Sequence, residues 1–439
     1  MKKWLFLSLL LFALALGALA QDRSATVGND EKKAVVDAAA AILEKEYVYP
    51  DVAKKMAALV RNNLKAGKYQ LIEEPRAFAR KLTEDLRSVS RDLHLGVRYA
   101  PERIREERST DEASRKAAQE FQKKLDRIDN HGFKEIKILN GNIGYLKFNG
   151  FSPDQEAFKV AIGAMAFLAN CDALVIDLRD NGGGSPEMIQ LLSSYFFSGE
   201  PRHLNSFYYR LDEKTEQYWT QPYVPGEKLA ETDLYILTSN NTFSAAEEFT
   251  YNLKNMKRAT IVGETTGGGA HPVNLRILND NFGIGVPYAR AINPISKTNW
   301  EGTGIEPDVK VPASQALDKA HLLALEKLAT REKDERIKTT YQWHLDGLKA
   351  ELNPVAVAED ILRSFAGDYG PRKITFENGS LFYQRENGTK MRMIPMSEVL
   401  FRFEEIDYFR LRIVNKDGRV TGVEGHYDNG TIDATPRTK

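Results

Sequence analysis

Residues 234–253 read LYILTSNNTFSAAEEFTYNL. An apolar strand, Leu234-Tyr235-Ile236-Leu237, runs into a polar turn and then into a helix carrying Phe249 and Leu253 on one face. Ser244 stands at the helix start, beside unpaired backbone N–H groups and the positive end of the helix dipole, where an oxyanion is stabilised. The same spacing fits a capping box, with Ser244 as cap and Glu247 three residues on. By itself this stretch admits both a cap and a nucleophile.

Working outward, the strand–helix alternation continues on both sides. Upstream, Ile136–Leu139 and Ile143–Phe148 alternate around Asn140-Gly141-Asn142, a hairpin signal. Residues 153–170 read as helix, 173–178 as a buried strand, and 185–197 as a helix after a Gly-rich turn. Downstream of helix 244–256 come strand 259–262 and a closing helix at 317–333. This order predicts an α/β core over 133–335. Ahead of it, 21–132 reads as a helical domain with segments 31–46, 51–66, 75–89 and a charged helix at 102–128. Behind it, 336–439 reads as a small all-β domain, with strands near 372–376, 380–384, 390–394, 408–414 and 419–426 between Asn-Gly and Asp-Gly turns.

Composition narrows the function classes. Residues 1–20 have the form of a secretory signal: Met1-Lys2-Lys3, an apolar run from Trp4 to Leu16, then small residues to Ala20. Cleavage after Ala20 predicts a periplasmic or secreted protein. The run is too short to serve as a comfortable membrane anchor. Its loss removes two lysines and leaves two more acidic than basic residues among the rest. So near-neutral a chain gives no electrostatic case for nucleic acid. Cys171 is the only cysteine, which excludes an intrachain disulfide and a multi-cysteine metal site.

Two further segments bear on chemistry. Arg179-Asp180-Asn181-Gly182-Gly183-Gly184-Ser185 joins a strand to a helix, and its glycines let backbone N–H groups approach an anion. It lacks the Gly-Lys-Ser/Thr of a phosphate loop. Gly263-Glu264-Thr265-Thr266-Gly267-Gly268-Gly269 follows the helix that begins at Ser244.

Together with Asp92-Leu93-His94, Ile143-Gly144-Tyr145-Leu146 and Glu301-Gly302-Thr303-Gly304-Ile305-Glu306-Pro307-Asp308, these motifs resemble the tail-specific (C-terminal-processing) serine proteases. The resemblance implies a crotonase/Clp-protease-like α/β core. It also implies an acyl-enzyme peptidase with Ser244 as nucleophile and the Ala245 N–H as one oxyanion donor. Gly183, or next to it Gly182, supplies the other. No metal or organic cofactor is implied, and the partner is a peptide or protein substrate.

The family's commoner branch uses a lysine where this chain has Gly269. The chain instead resembles the tricorn and retinoid-binding-protein-like branch, whose base is an upstream histidine, here His94, supported by an acidic residue, here Glu301. Leu93 replaces the serine that precedes that histidine, and Ser90 or Asp92 are the substitutes at hand. His271 is the rival base, and Glu247 either orients the site or complements the helix start. A histidine base predicts activity rising through about pH 6 to 7, against about 9 or above for a lysine. No PDZ segment is evident between His94 and the hairpin. The alternative reading is a non-catalytic binder of an apolar ligand or peptide on the same scaffold.

Overall fold

The computed structural model describes residues 26–109 and 111–439; the signal-like segment 1–20 lies outside the described residues. Three helices open the described residues: α1 (Asn29–Glu46), α2 (Pro50–Lys65) and α3 (Pro75–Ser90). Pro at the first turn of α2 and α3 costs no hydrogen bond, since that N–H has no intrahelical partner. Arg91, in the left-handed conformation, ends α3. The chain then forms strand β1 (Gly96–Tyr99), which the sequence reading had absorbed into helix. The charged stretch expected as one helix is two, α4 (Pro101–Arg108) and α5 (Glu112–Ile128). Pro101 starts the first, and Asp111 caps the second through the Ala113 and Ser114 N–H groups.

The core alternates as expected through β2 (Phe133–Leu139), β3 (Ile143–Phe148), α6 (Gln155–Phe167), β4 (Ala173–Asp177) and α7 (Pro186–Ser194). A hairpin not read from the sequence follows, β5 (His203–Tyr209) and β6 (Lys214–Trp219). Then come β7 (Asp233–Thr238), α8 (Ala245–Asn255), β8 (Ala259–Gly263), β9 (Val273–Ile277), β10 (Phe282–Pro287), β11 (Ala289–Ile292) and β12 (Val309–Lys310). Helices α9 (Ala316–Arg331), α10 (Glu335–Leu352) and α11 (Glu359–Phe365) lead into an eight-stranded antiparallel meander. Its strands are β13 (Gly367–Tyr369), β14 (Arg372–Glu377), β15 (Ser380–Arg385), β16 (Met391–Pro395), β17 (Leu400–Phe403), β18 (Phe409–Lys416), β19 (Arg419–Tyr427) and β20 (Ile432–Pro436). Short β13, β17 and β20 carry no strong alternating run, so the sequence reading passed over them.

The central sheet has the order β12-β8-β7-β4-β3-β2, parallel except for the β2–β3 hairpin. Both faces of its middle strands are covered. Leu174 and Ile176 of β4, with Leu234 and Ile236 of β7, pack into the cluster built with α6, α7 and α8. Their neighbours Ala173, Val175, Tyr235 and Leu237 face α9 and α10. Two-sided burial is why these strands read as unbroken apolar runs.

The joint that matters for the site lies elsewhere. β1 pairs antiparallel with β10, which pairs with β9, and Phe282, Ile284 and Val286 of β10 belong to the same apolar cluster as α1, α2 and α3. The N-terminal helices therefore share a core with strands from far along the chain. That shared core carries the loop before β1 to the carboxyl end of the central sheet.

Candidate active site

Ser244 sits where β7 ends and α8 begins, with φ 56° and ψ −120°. A positive φ in a non-glycine residue costs on the order of 1–3 kcal/mol and persists only where its surroundings impose it. Here they do. The Ser244 N–H donates to Glu247 Oε2 at 2.9 Å, and the Phe243 N–H donates to the Asn181 carbonyl at 3.0 Å. Thr242 Oγ1 donates to the Leu178 carbonyl at 2.7 Å, so the turn that carries Ser244 is stitched to the turn after β4.

Glu247 resolves as an organiser of backbone. Wholly buried, its carboxylate also accepts from Thr266 Oγ1 at 2.5 Å, the Gly268 N–H at 2.7 Å and the Gly269 N–H at 2.8 Å. Burial pushes its pKa up, opposed by these donors. It joins the turn before α8 to the glycine loop after β8. Glu247→Gln keeps the shape but turns an amide NH2 toward backbone donors. It is expected to lower core stability by about 2 kcal/mol, read by thermal unfolding.

His94 lies in the loop between α3 and β1. Arg87 pins that loop, donating through Nε to the Leu95 carbonyl at 2.7 Å and through Nη2 to the Leu93 carbonyl at 2.6 Å. Asp92 Oδ1 accepts the His94 backbone N–H at 3.0 Å, and Ser90 Oγ accepts the Asp92 N–H at 3.2 Å. The imidazole rests on Phe243, the residue before Ser244, with ring centroids 4.6 Å apart. His94 and Ser244 line one cavity of about 400 Å³, with Ala245, Gly184 and His271. Burial drives the His94 pKa down to about 4, against the opposing pull of Asp92.

His271 occupies a different niche. It is 2% exposed; its Nδ1 lies 2.8 Å from Asp92 Oδ2 and 3.3 Å from Glu301 Oε2. Its Nε2 is buried without a hydrogen-bond partner among the described residues. Tyr47 donates to Asp92 Oδ2 at 3.2 Å, and Tyr49 packs edge-on against the His271 ring at 5.5 Å. Glu301 Oε2 accepts the Ala270 N–H at 2.6 Å; its Oε1, like His94 Nδ1, is buried without a partner among the described residues. Burial, then the Asp92 charge, pushes the Glu301 pKa up, with His271 opposing. Asp92 was singled out from the sequence only as a stand-in for a missing serine, yet it touches both the His94 backbone and the His271 ring.

Asp92, His94 and Glu301 each offer a ligand atom within 4.8 Å of the others. The oxygens of Asp92 already accept three hydrogen bonds, and Glu301 Oε2 accepts one more. What remains is a carboxylate oxygen and an imidazole nitrogen, a set better suited to sharing a proton than to enclosing a cation.

Of the backbone donors expected beside Ser244, the Ala245 N–H takes no partner among the described residues. The Gly182 N–H donates to the Asn149 carbonyl at 3.3 Å, and the Gly183 N–H to Asn181 Oδ1 at 2.9 Å. Gly184, and neither Gly183 nor Gly182 as expected from the sequence, is the glycine of this turn that lines the cavity. Gly183 matters for approach: at φ 107°, a Cβ there would meet Ser244 Cβ at 2.6 Å.

Comparison with known proteins gives these residues a context. Residues 142–311 match the model of peptidase family S41, and residues 18–129 match that of the N-terminal domain of peptidase S41 in eukaryotic IRBP. The chain is similar to chloroplastic carboxyl-terminal-processing peptidase 2 of Arabidopsis thaliana, 31% identical over 181 residues, covering 39% of this chain and 32% of that protein. It is also similar to the carboxyl-terminal-processing protease of a Synechocystis strain, 29% identical over 170 residues, covering 38% and 37%. The aligned part thus spans about a third of the length of these relatives. A crystal structure of a putative peptidase from Parabacteroides merdae covers 69% of this chain and 99% of its own, at 18% identity and a TM-score of 0.49. Family models on the α/β core and on the helices before it agree: this chain belongs to peptidase family S41.

Proposed function

We propose that the protein is an exported serine-type peptidase that cleaves peptides or proteins through an acyl-enzyme. Ser244 Oγ attacks the scissile carbonyl while His94 takes its proton, then returns it to the leaving amine. The Ala245 N–H holds the oxyanion together with a donor from the Gly183–Gly184 turn. Glu301 supports the imidazolium, and Asp92 fixes the loop that carries it.

One observation carries the choice of base. A Cβ built at Gly269 would lie 2.7 Å from His94 Cε1 and 2.2 Å from Phe243 Cζ. The imidazole from position 94 thus fills the space that a side chain at 269 would enter, and 269 is where the lysine of the Ser-Lys branch is expected. One base stands in for the other. His271, with Nδ1 held by carboxylates and Nε2 buried, is a positioning residue in this reading. Export rests on the signal-like segment ahead of Ala20. Among the described residues, no helix is long and apolar enough to cross a membrane.

A fluorophosphonate tests the nucleophile directly. After incubation of the mature protein, mass spectrometry of a digest is expected to find one adduct, on the peptide containing Ser244. An unmodified Ser244, or an adduct on another serine alone, rejects the assignment and leaves a binding role on the same scaffold.

A further inference from the structure

The cavity beside Ser244 is also lined by two acidic residues that the proposed chemistry does not use. Glu248 follows Ser244 by four residues, one turn or about 6 Å along α8. Its side chain lines the cavity although the residue is only 5% exposed. Glu187, in the first turn of α7, lines the same cavity. Neither carboxylate has an ion-pair partner among the described residues, and no Lys or Arg is among the residues lining the cavity. Fully buried, Glu248 has its pKa pushed up to about 8, first by desolvation, with the Glu187 charge adding to the rise.

Acidic residues in a first helical turn ordinarily complement the dipole, an effect of about 0.3–1 kcal/mol. That is too small to keep a buried carboxyl ionised without a counter-ion, so Glu248 holds its proton near neutrality until a cation stands beside it. The surroundings add a second indication. The Asn205 and Asn252 carboxamides lie against Glu248 and oppose its rise. Their amides donate toward its carboxylate, while Asn205 Oδ1 is buried without a hydrogen-bond partner among the described residues. The two carboxamides ease the burial of Glu248 but bring it no positive charge. Phe207, Tyr209, Tyr218, Tyr288 and Trp300 line the same cavity, and aromatic rings suit an alkyl stem with a cationic tip.

We propose that this cavity is the subsite for the residue whose carbonyl is attacked, and that it selects a basic side chain. The aromatic walls hold the stem of a lysine or arginine, and Glu248, with Glu187 beside it, receives the cationic head. This rests on Ser244 being the nucleophile, and the test separates the two ideas. Peptides identical except for Lys, Arg, Ala or Leu before the scissile bond are to be compared for kcat/KM on the mature protein. Lys and Arg are expected to exceed Ala and Leu at least tenfold. Benzamidine is expected to compete with them, and its neutral analogue benzamide is not. Cleavage that favours Ala or Leu and ignores benzamidine overturns the subsite. Absence of all cleavage and of fluorophosphonate labelling overturns the peptidase reading beneath it. Glu248→Gln is expected to reduce kcat/KM at least tenfold more for Lys and Arg than for Leu. If that variant labels with fluorophosphonate and keeps the wild-type ranking of substrates, Glu248 is not the acceptor. The wild-type comparisons decide the proposal even if the variant does not fold.

Discussion

Ser244→Ala, His94→Ala and the double substitution are expected to fall to one common floor, at least about 10³-fold below wild type in kcat. Groups that act as a unit do not add: once the attacking oxygen or its proton acceptor is gone, losing the other costs nothing more. The floor reflects binding and the backbone donors near Ala245, which survive all three changes. His271→Ala is expected to keep more activity than His94→Ala, since it removes a support and not the acceptor. If His271→Ala reaches the floor and His94→Ala does not, the base passes to His271.

The pH profile sharpens that result. A base must be neutral, and burial has lowered the His94 pKa to about 4, so its own protonation removes activity only well below pH 6. The rise through pH 6 to 7 anticipated from an ordinary histidine is therefore not expected from His94. Glu301 is shifted the other way, so its ionisation is completed only above the usual carboxylate range. If the ionised form stabilises the imidazolium, kcat/KM climbs as pH passes through that raised value. Glu301→Gln is then expected to abolish the climb and lower the plateau, leaving the limb near pH 4. An unchanged profile in that variant removes Glu301 from the mechanism.

Gly269→Ala is expected to lower kcat about a hundredfold while changing KM little. The backbone at 269 is not in the left-handed region, so alanine brings no conformational strain there. The damage is contact: the new methyl would stand 2.2 Å from Phe243 Cζ and 2.7 Å from His94 Cε1, inside any tolerable separation. Phe243 is buttressed by its place before Ser244 and by its N–H bond to Asn181, so the imidazole is the freer of the two to yield. A displacement near 1 Å at a proton acceptor is worth about 10² in rate. Wild-type kcat in Gly269→Ala would mean that the ring at 94 need not stand where it does.

The elements nearest Ser244 were legible because their signals are local. β4 and β7 are apolar on both faces, and α8 starts where a polar turn meets an amphipathic run, patterns set by neighbours a few residues away. The Gly-rich turn after β4 declares itself by composition, and the Asn-Gly turns mark much of the C-terminal meander. What escaped has weak local character. β1 is four residues, Gly96–Tyr99, between two helices, and it is a strand only because Gly96–Tyr99 pairs with Phe282–Gly285. The β5–β6 hairpin, which walls the cavity with Phe207, Tyr209 and Tyr218, has no tight Gly turn to announce it.

Sequence by itself therefore determined the strand–turn–helix that presents Ser244, the glycine turn beside it, and the family to which the chain belongs. Only the tertiary structure decided which side chains meet there. It set the His94 ring against Phe243 through the distant β1–β10 pairing, and it closed Asp92, His271 and Glu301 into one buried cluster. It also turned Glu247 from a helix-start acid into the acceptor that holds two loops together. The reason is physical: dihedral preference and hydrophobic period are properties of a short segment. Proton transfer and burial of charge depend on distances between segments that only packing brings together.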